Sequence, residues 1–258
     1  MNFTGAEITA WVGSFLWPLF RIGGVIMAAP VFGARTIPVR IRAAFAVLLA
    51  LMIAPALPPV PVIDVFNPLA ILIVVQQVLI GVVMGFTLQI VMSAVITGGQ
   101  AVALQMGLGF SLMVDPQHGA QVPVLSQFYI LMVLLVYLAL NGHLVLIEVL
   151  VDSFTLLPIG QSLMPESLWQ LVRWGSQIFA GGVAIALPAI ASLLIINIAF
   201  GIMTRAAPQL NIFAIGFPIT MTLGFGIVFF TLPSITPHAT EMFNTAYQLM
   251  KQLLGGTL

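Results

Sequence analysis

The sequence predicts an all-α membrane protein of about six apolar, proline-broken helical segments. The prediction rests on composition, on segment length and on where the prolines fall. Hydrophobic residues make up 61% of the 258-residue chain and charged residues 5%, whereas a soluble domain carries about a quarter charged residues. That length has room for roughly six to eight spans of about 20 residues joined by short loops. Several apolar runs contain prolines, which interrupt a helix ladder.

The first span runs from about Ile8 to Val31, broken by Pro18 and carrying Arg21. Its leading residues, Met1 to Glu7, lack the positive n-region of a cleavable signal peptide, so insertion is expected to use this segment itself. The second, Ala43 to Ala54, is short for a crossing at about 1.5 Å per residue. It stops at a proline-dense stretch, Pro55 to Pro61, expected to be extended. The third covers Pro68 to about Thr97, and the fourth Val124 to about Leu140, with a possible continuation to Val151. After a loop with Pro158, Gly160 and Pro165, Leu168 to Arg173 reads as an amphipathic lead-in. The fifth segment is Trp174 to Met203, interrupted at Pro188, and the sixth is Asn211 to Leu232, containing Pro218. A weaker amphipathic tail, Thr240 to Leu254, follows.

Charge is sparse enough to orient the chain. Arg35, Arg40 and Arg42 cluster after the first segment, and Arg205 lies between the fifth and sixth. The positive-inside rule puts both loops in the cytoplasm and both chain ends outside, a scheme that Arg173 fits poorly. A net charge of zero with scattered basic residues argues against a nucleic-acid face. The absence of cysteine excludes disulfides, thiolate metal sites and cysteine nucleophiles.

The most unusual stretch is Thr97 to Pro123, with glycine at 98, 99, 107, 109 and 119 and an Asp115-Pro116 turn signal. Irregular backbone at membrane depth is tolerated inside protein or along a water-filled cavity. This reads as a loop folded into a cavity or pore, with Met106, Leu108, Phe110 and Met113 as a deformable apolar plug. The plainer alternative is a connecting loop with a helical start. Gly81 and Gly85 have the spacing of a close helix contact, a weak signal in a glycine-rich chain. Gln76, Gln77 and Gln89 are expected to hydrogen-bond neighbouring helices rather than line an ion path.

His143, Glu148 and Asp152 are the one set resembling a proton relay or intramembrane catalytic site, Glu148 and Asp152 being four apart on one helix face. Their place beside the 157–160 turn favours a solvated helix end instead. His118 and His238 have no partners at metal-ligand spacing, and no zinc, phosphate-cradling or nucleophile motif is present. Catalysis therefore finds no support, and no cofactor is implied. Arg21 is the costliest charge, expected to snorkel to an interface or to pair with a partner subunit.

Motifs in a fixed order along the whole chain resemble the FliR family, the R component of the flagellar type III export gate. They comprise Trp17 to Arg21, Ile37 to Arg40, Gln77 to Thr87, Gln105 to Phe110, Asp115-Pro116, Asn141 to Leu144, Leu157 to Gly160, Ala207 to Phe213 and Gly216 to Pro218. The resemblance implies a P-like part over 1–173 and a Q-like hairpin and tail over 174–258, in a helical assembly with FliP and FliQ. It implies further work with FlhB and FlhA, an ATPase and the proton motive force, and transient contact with unfolded flagellar proteins. It also implies the bacterial inner membrane, at the basal body. The family's plug loop falls on Gln105, Met106, Gly107, Leu108, Gly109, Phe110 and Met113, within about 97–123, and Arg205 becomes a cytoplasmic contact by position. The alternatives are the homologous T subunit of a virulence injectisome, a small-solute secondary transporter, and an intramembrane enzyme.

Overall fold

A computed structural model describes residues 5–34, 36–58, 67–108, 124–206 and 212–255. Among them are eight α-helices and no strand: α1 (Gly5–Ala28), α2 (Val39–Ile53), α3 (Pro68–Gln105), α4 (Val124–Ala139), α5 (Gly142–Leu156), α6 (Pro165–Trp174), α7 (Gln177–Ala206) and α8 (Ile212–Gly255). Five helical stretches are long and apolar enough to cross a membrane, or six if α4 and α5 are one broken span. The chain is an integral membrane protein of all-α class.

Several boundaries differ from the sequence reading, each for a local reason. Of the stretch Pro55 to Pro61 expected to be extended, Pro55 sits at the start of a 3-10 turn, Ala54–Ala56, where its missing N–H costs little, Leu57 is extended, and residues 59–61 lie outside the described ones. The third segment does not end near Thr97 but continues to Gln105, because Gly98 and Gly99 are packing sites inside the helix. The sixth segment and the amphipathic tail are one helix of 44 residues that carries Pro218, Pro233 and Pro237 inside it. Side chains near these prolines fold back onto the backbone. Thr222 donates to the Pro218 carbonyl at 2.8 Å and Thr231 to Ile227 at 2.9 Å, while His238 Nδ1 lies 2.8 Å from the Ser234 carbonyl. Such back-bonding leaves no bare hydroxyl towards an apolar surrounding.

The chain forms two compact units, each drawn from separated stretches: residues 1–90, 141–175 and 243–258, and residues 91–140 and 176–242. In the first, buried positions recur at helical spacing: Ile22, Val25 and Ile26 on α1; Ile80, Val83 and Met84 on α3; Leu146, Val149 and Leu150 on α5; Phe243, Ala246, Tyr247 and Met250 on α8. The second unit repeats the pattern with Ala94, Val95, Val102 and Ala103 on α3, Leu125, Tyr129, Val133 and Tyr137 on α4, and Ile185, Ala186, Ala189 and Leu193 on α7.

Backbone contact between α1 and α3 depends on glycine. A Cβ at Gly24 would lie 2.6 Å from the Val78 carbonyl oxygen, one at Gly85 2.7 Å from Ala28 Cβ, and one at Gly81 would collide with the Arg21 carbonyl oxygen. The weak spacing signal at Gly81 and Gly85 thus marks a real helix contact. In the second unit Gly98 faces the Gly182 carbonyl in the same way, at 2.8 Å.

Candidate functional site

The stretch singled out by its glycines begins in regular structure. α3 runs unbroken to Gln105, and only Met106, Gly107 and Leu108 form a turn. Its hydrogen bonds define the helix end: Leu108 N–H donates to the Ala103 carbonyl at 2.9 Å and Gly107 N–H to Leu104 at 3.0 Å. With Gly107 at φ 81°, this is the six-to-one and five-to-two pairing of a glycine-capped helix terminus. The irregular region therefore opens at Met106 rather than Thr97, and Gly107 is the residue that permits the stop.

Around this turn the second unit places three of the sequence-predicted residues in different surroundings. Met106 is fully buried. Its flexible side chain occupies the space that a Cβ on Gly224 of α8 would need, 2.8 Å away. Leu108 lines an apolar cavity of about 430 Å³ with Val124, Leu125 and Phe128 of α4 and Phe225, Val228, Phe229 and Leu232 of α8. Gln105, on the other hand, lines a more polar cavity of about 450 Å³ with Asn197 and Thr204 of α7 and Phe217 and Thr220 of α8. The Phe217 ring closes over Gly107, where a Cβ would come within 3.1 Å of it. The turn thus separates an apolar hollow from a partly polar one. Gly109, Phe110 and Met113 lie outside the described residues, as do Arg35, His118 and the Asp115-Pro116 pair. Arg205 is exposed in the last turn of α7, where a cation suits the helix dipole.

The set weighed for chemistry, His143, Glu148 and Asp152, lies along α5. Glu148 is exposed, and Asp152 accepts a hydrogen bond from Lys251 Nζ at 3.0 Å. Both side chains of that pair are more than 40% exposed, which fits the solvated helix end expected for them. Among the described residues no group of three or more His, Asp or Glu side chains could hold a metal ion.

Arg21 corrects its expectation outright. It neither snorkels nor waits for another subunit, for it is 0% exposed inside the first unit. Its Nε donates to Gln77 Oε1 at 2.8 Å, one terminal nitrogen to the Ser153 carbonyl at 2.7 Å, and the other to the Leu157 carbonyl at 2.8 Å. The guanidinium carbon stands 4.3 Å from the centre of the Phe154 ring. Arg21 therefore caps the C-terminus of α5, where the Leu157 carbonyl lies beyond the last helical residue and the dipole is negative. Gln77 was legible as a polar residue seeking a partner, but backbone carbonyls leave no mark in a sequence.

Residues 12–246 match the family described as Bacterial export proteins, family 1, and the chain belongs to that family. Its relatives include Flagellar biosynthetic protein FliR of Escherichia coli (strain K12), 39% identical over 98% of this chain and 97% of that protein. The FliR of Pectobacterium carotovorum subsp. carotovorum is 38% identical over the same shares, and that of Bacillus subtilis (strain 168) is 27% identical over 93% and 94%.

Proposed function

We propose that this chain is a subunit of the flagellar type III export gate. In this reading it forms part of the entry pore for unfolded flagellar proteins, and residues 105–113 contribute the plug that seals the pore. The observation that carries the assignment is the near end-to-end similarity to proteins named for flagellar biosynthesis. That naming also favours a flagellar over an injectisome role. The plug reading gains support from Met106 to Leu108, an apolar turn beside two hollows. A pore for many different chains wants a deformable apolar seal rather than a shaped pocket.

The subunit does no bond chemistry; the energy comes from elsewhere in the machine. It works with FliP and FliQ in one complex in the bacterial inner membrane, and with FlhB and FlhA at the flagellar basal body. Residues 1–173 are the P-like part and 174–258 the Q-like hairpin, with Arg205 facing the cytoplasmic partners.

Ion conductance of the assembled complex tests the seal. Deletion of Gly109 to Met113 leaves the helix cap at Gly107 intact, and so removes plug residues without unravelling α3. A leak in this variant and none in the parent is expected. A variant that assembles with FliP and FliQ yet stays ion-tight places the seal elsewhere and reduces this turn to structure.

A further inference from the structure

We propose that the groove between α1 and α2 in the first unit is a site for one anionic phospholipid, with the phosphate at Arg42 and an acyl chain along the groove. The hollow holds about 390 Å³ and is walled by Phe20, Gly23 and Met27 of α1 and by Ala43 and Val47 of α2. Among the described residues Arg42 is the only charged one lining it.

Gly23 leaves the floor open: a Cβ there would meet nothing within 4 Å, although the adjacent Gly24 is pressed against α3. No described residue fills this space. Arg42 lines the hollow, and its Nε has no hydrogen-bond partner among the described residues. Arg40 is exposed one residue away from the intervening Ile41, and the first turn of α2 holds no acid and no capping side chain. Among the described residues no acid lines this end of the groove, which is thus electropositive.

The arrangement has the polarity of a lipid. Positive charge sits near the start of α2, and the apolar wall continues along the helix towards Val47. A protein occupant would have to bring an acidic side chain into an apolar groove, which is costly. A phospholipid brings its phosphate to headgroup depth already, with the chains attached.

The test uses the full chain in its purified membrane complex. The probes are phosphatidylglycerol and phosphatidylcholine with identical acyl chains, and retained lipid is counted by mass spectrometry. Phosphatidylglycerol is expected to be retained in preference. Arg42→Gln should lower its retention roughly fivefold, the factor for one basic side chain at a lipid surface, while leaving phosphatidylcholine unchanged. Arg42→Lys should keep the preference. Gly23→Leu fills the floor without touching charge, and so should displace both lipids. Arg173→Gln, on α6, should change nothing. Equal retention of the two lipids by the parent, or a preference that survives both Arg42→Gln and Gly23→Leu, overturns the proposal. So does a photo-crosslinker at Val47 that reacts with protein and not with lipid, since the groove would then house a second copy or a partner helix.

Discussion

Arg21 shows how one side chain can hold three helices without an ion pair. Its donors reach α3 through Gln77 and the end of α5 through Ser153 and Leu157. The Ser153 carbonyl also accepts from the Leu157 N–H, so loss of the guanidinium leaves chiefly Gln77 Oε1 and the Leu157 carbonyl unmatched. Each buried orphan costs about 1–3 kcal/mol. Arg21→Ala should therefore lower the thermal midpoint of the purified complex, and Arg21→Lys should recover little, because one ammonium cannot replicate the planar fork. Joint Arg21→Met and Gln77→Leu should recover more than Arg21→Ala, since it removes polar groups from both sides. An Arg21→Ala complex melting with the parent would show that the clamp is dispensable. Gly107 poses a smaller case. Its φ of 81° costs an L-residue about 1–2 kcal/mol, and a Cβ also presses on Phe217. Gly107→Ala should reduce motility in soft agar, and Gly107→Asn should reduce it less because asparagine tolerates that conformation better. Equal motility of all three strains would contradict a strained cap.

Among the elements, α1 and α3 give the sharpest contrast, because Gly23 and Gly24 are neighbours with opposite surroundings. Gly24 abuts the Val78 carbonyl and Gly23 faces open space. Gly24→Ala should push the helices apart and reduce complex yield. Gly23→Ala should be neutral or stabilising by up to about 1 kcal/mol from helix propensity alone. Matching yields for the two variants would mean that the close approach is not required. The same pair marks how far the sequence could be read. The apolar segments, the GxxxG spacing and the amphipathic lead-in, seen as α6 (Pro165–Trp174), were legible because helical period and composition are local properties. The end of α3 was not, since glycines at 98, 99 and 107 look alike in a sequence. Two of them serve packing and one serves termination, and only the partner surfaces, Gly182, Ser126 and Phe217, distinguish them. For the same reason the sequence reads the Leu104 and Gln105 end of the helix as loop, while Thr240 to Leu254 reads as a separate element because Pro233 and Pro237 look like a break.

At the scale of the whole molecule the helices outrun a bilayer. At about 1.5 Å per residue the 38 residues of α3 and the 44 of α8 extend about 57 and 66 Å, against a hydrocarbon core of about 30 Å. Tilt within the usual range does not absorb a twofold excess. Much of each helix must then lie against something other than acyl chains. The apolar windows of α8 and of the α6–α7 stretch are only 17% and 22% buried within the chain, so most of their surface faces something outside it. Phe229 and Phe230 on α8 stand 69% and 80% exposed, close before Pro233 and Pro237, which lipid alone would accommodate poorly. A protein neighbour along α8 answers both problems, because it covers aromatic surface and its side chains can satisfy backbone groups freed by proline. The chain has no cysteine and few reactive groups, so a single photo-reactive residue in place of Phe230 gives a clean readout. In cells expressing the full export apparatus it should yield a discrete protein adduct, reduced when the partner subunits are deleted. Adducts with lipid only, in both backgrounds, would mean that this face meets the bilayer and that α8 needs no neighbour.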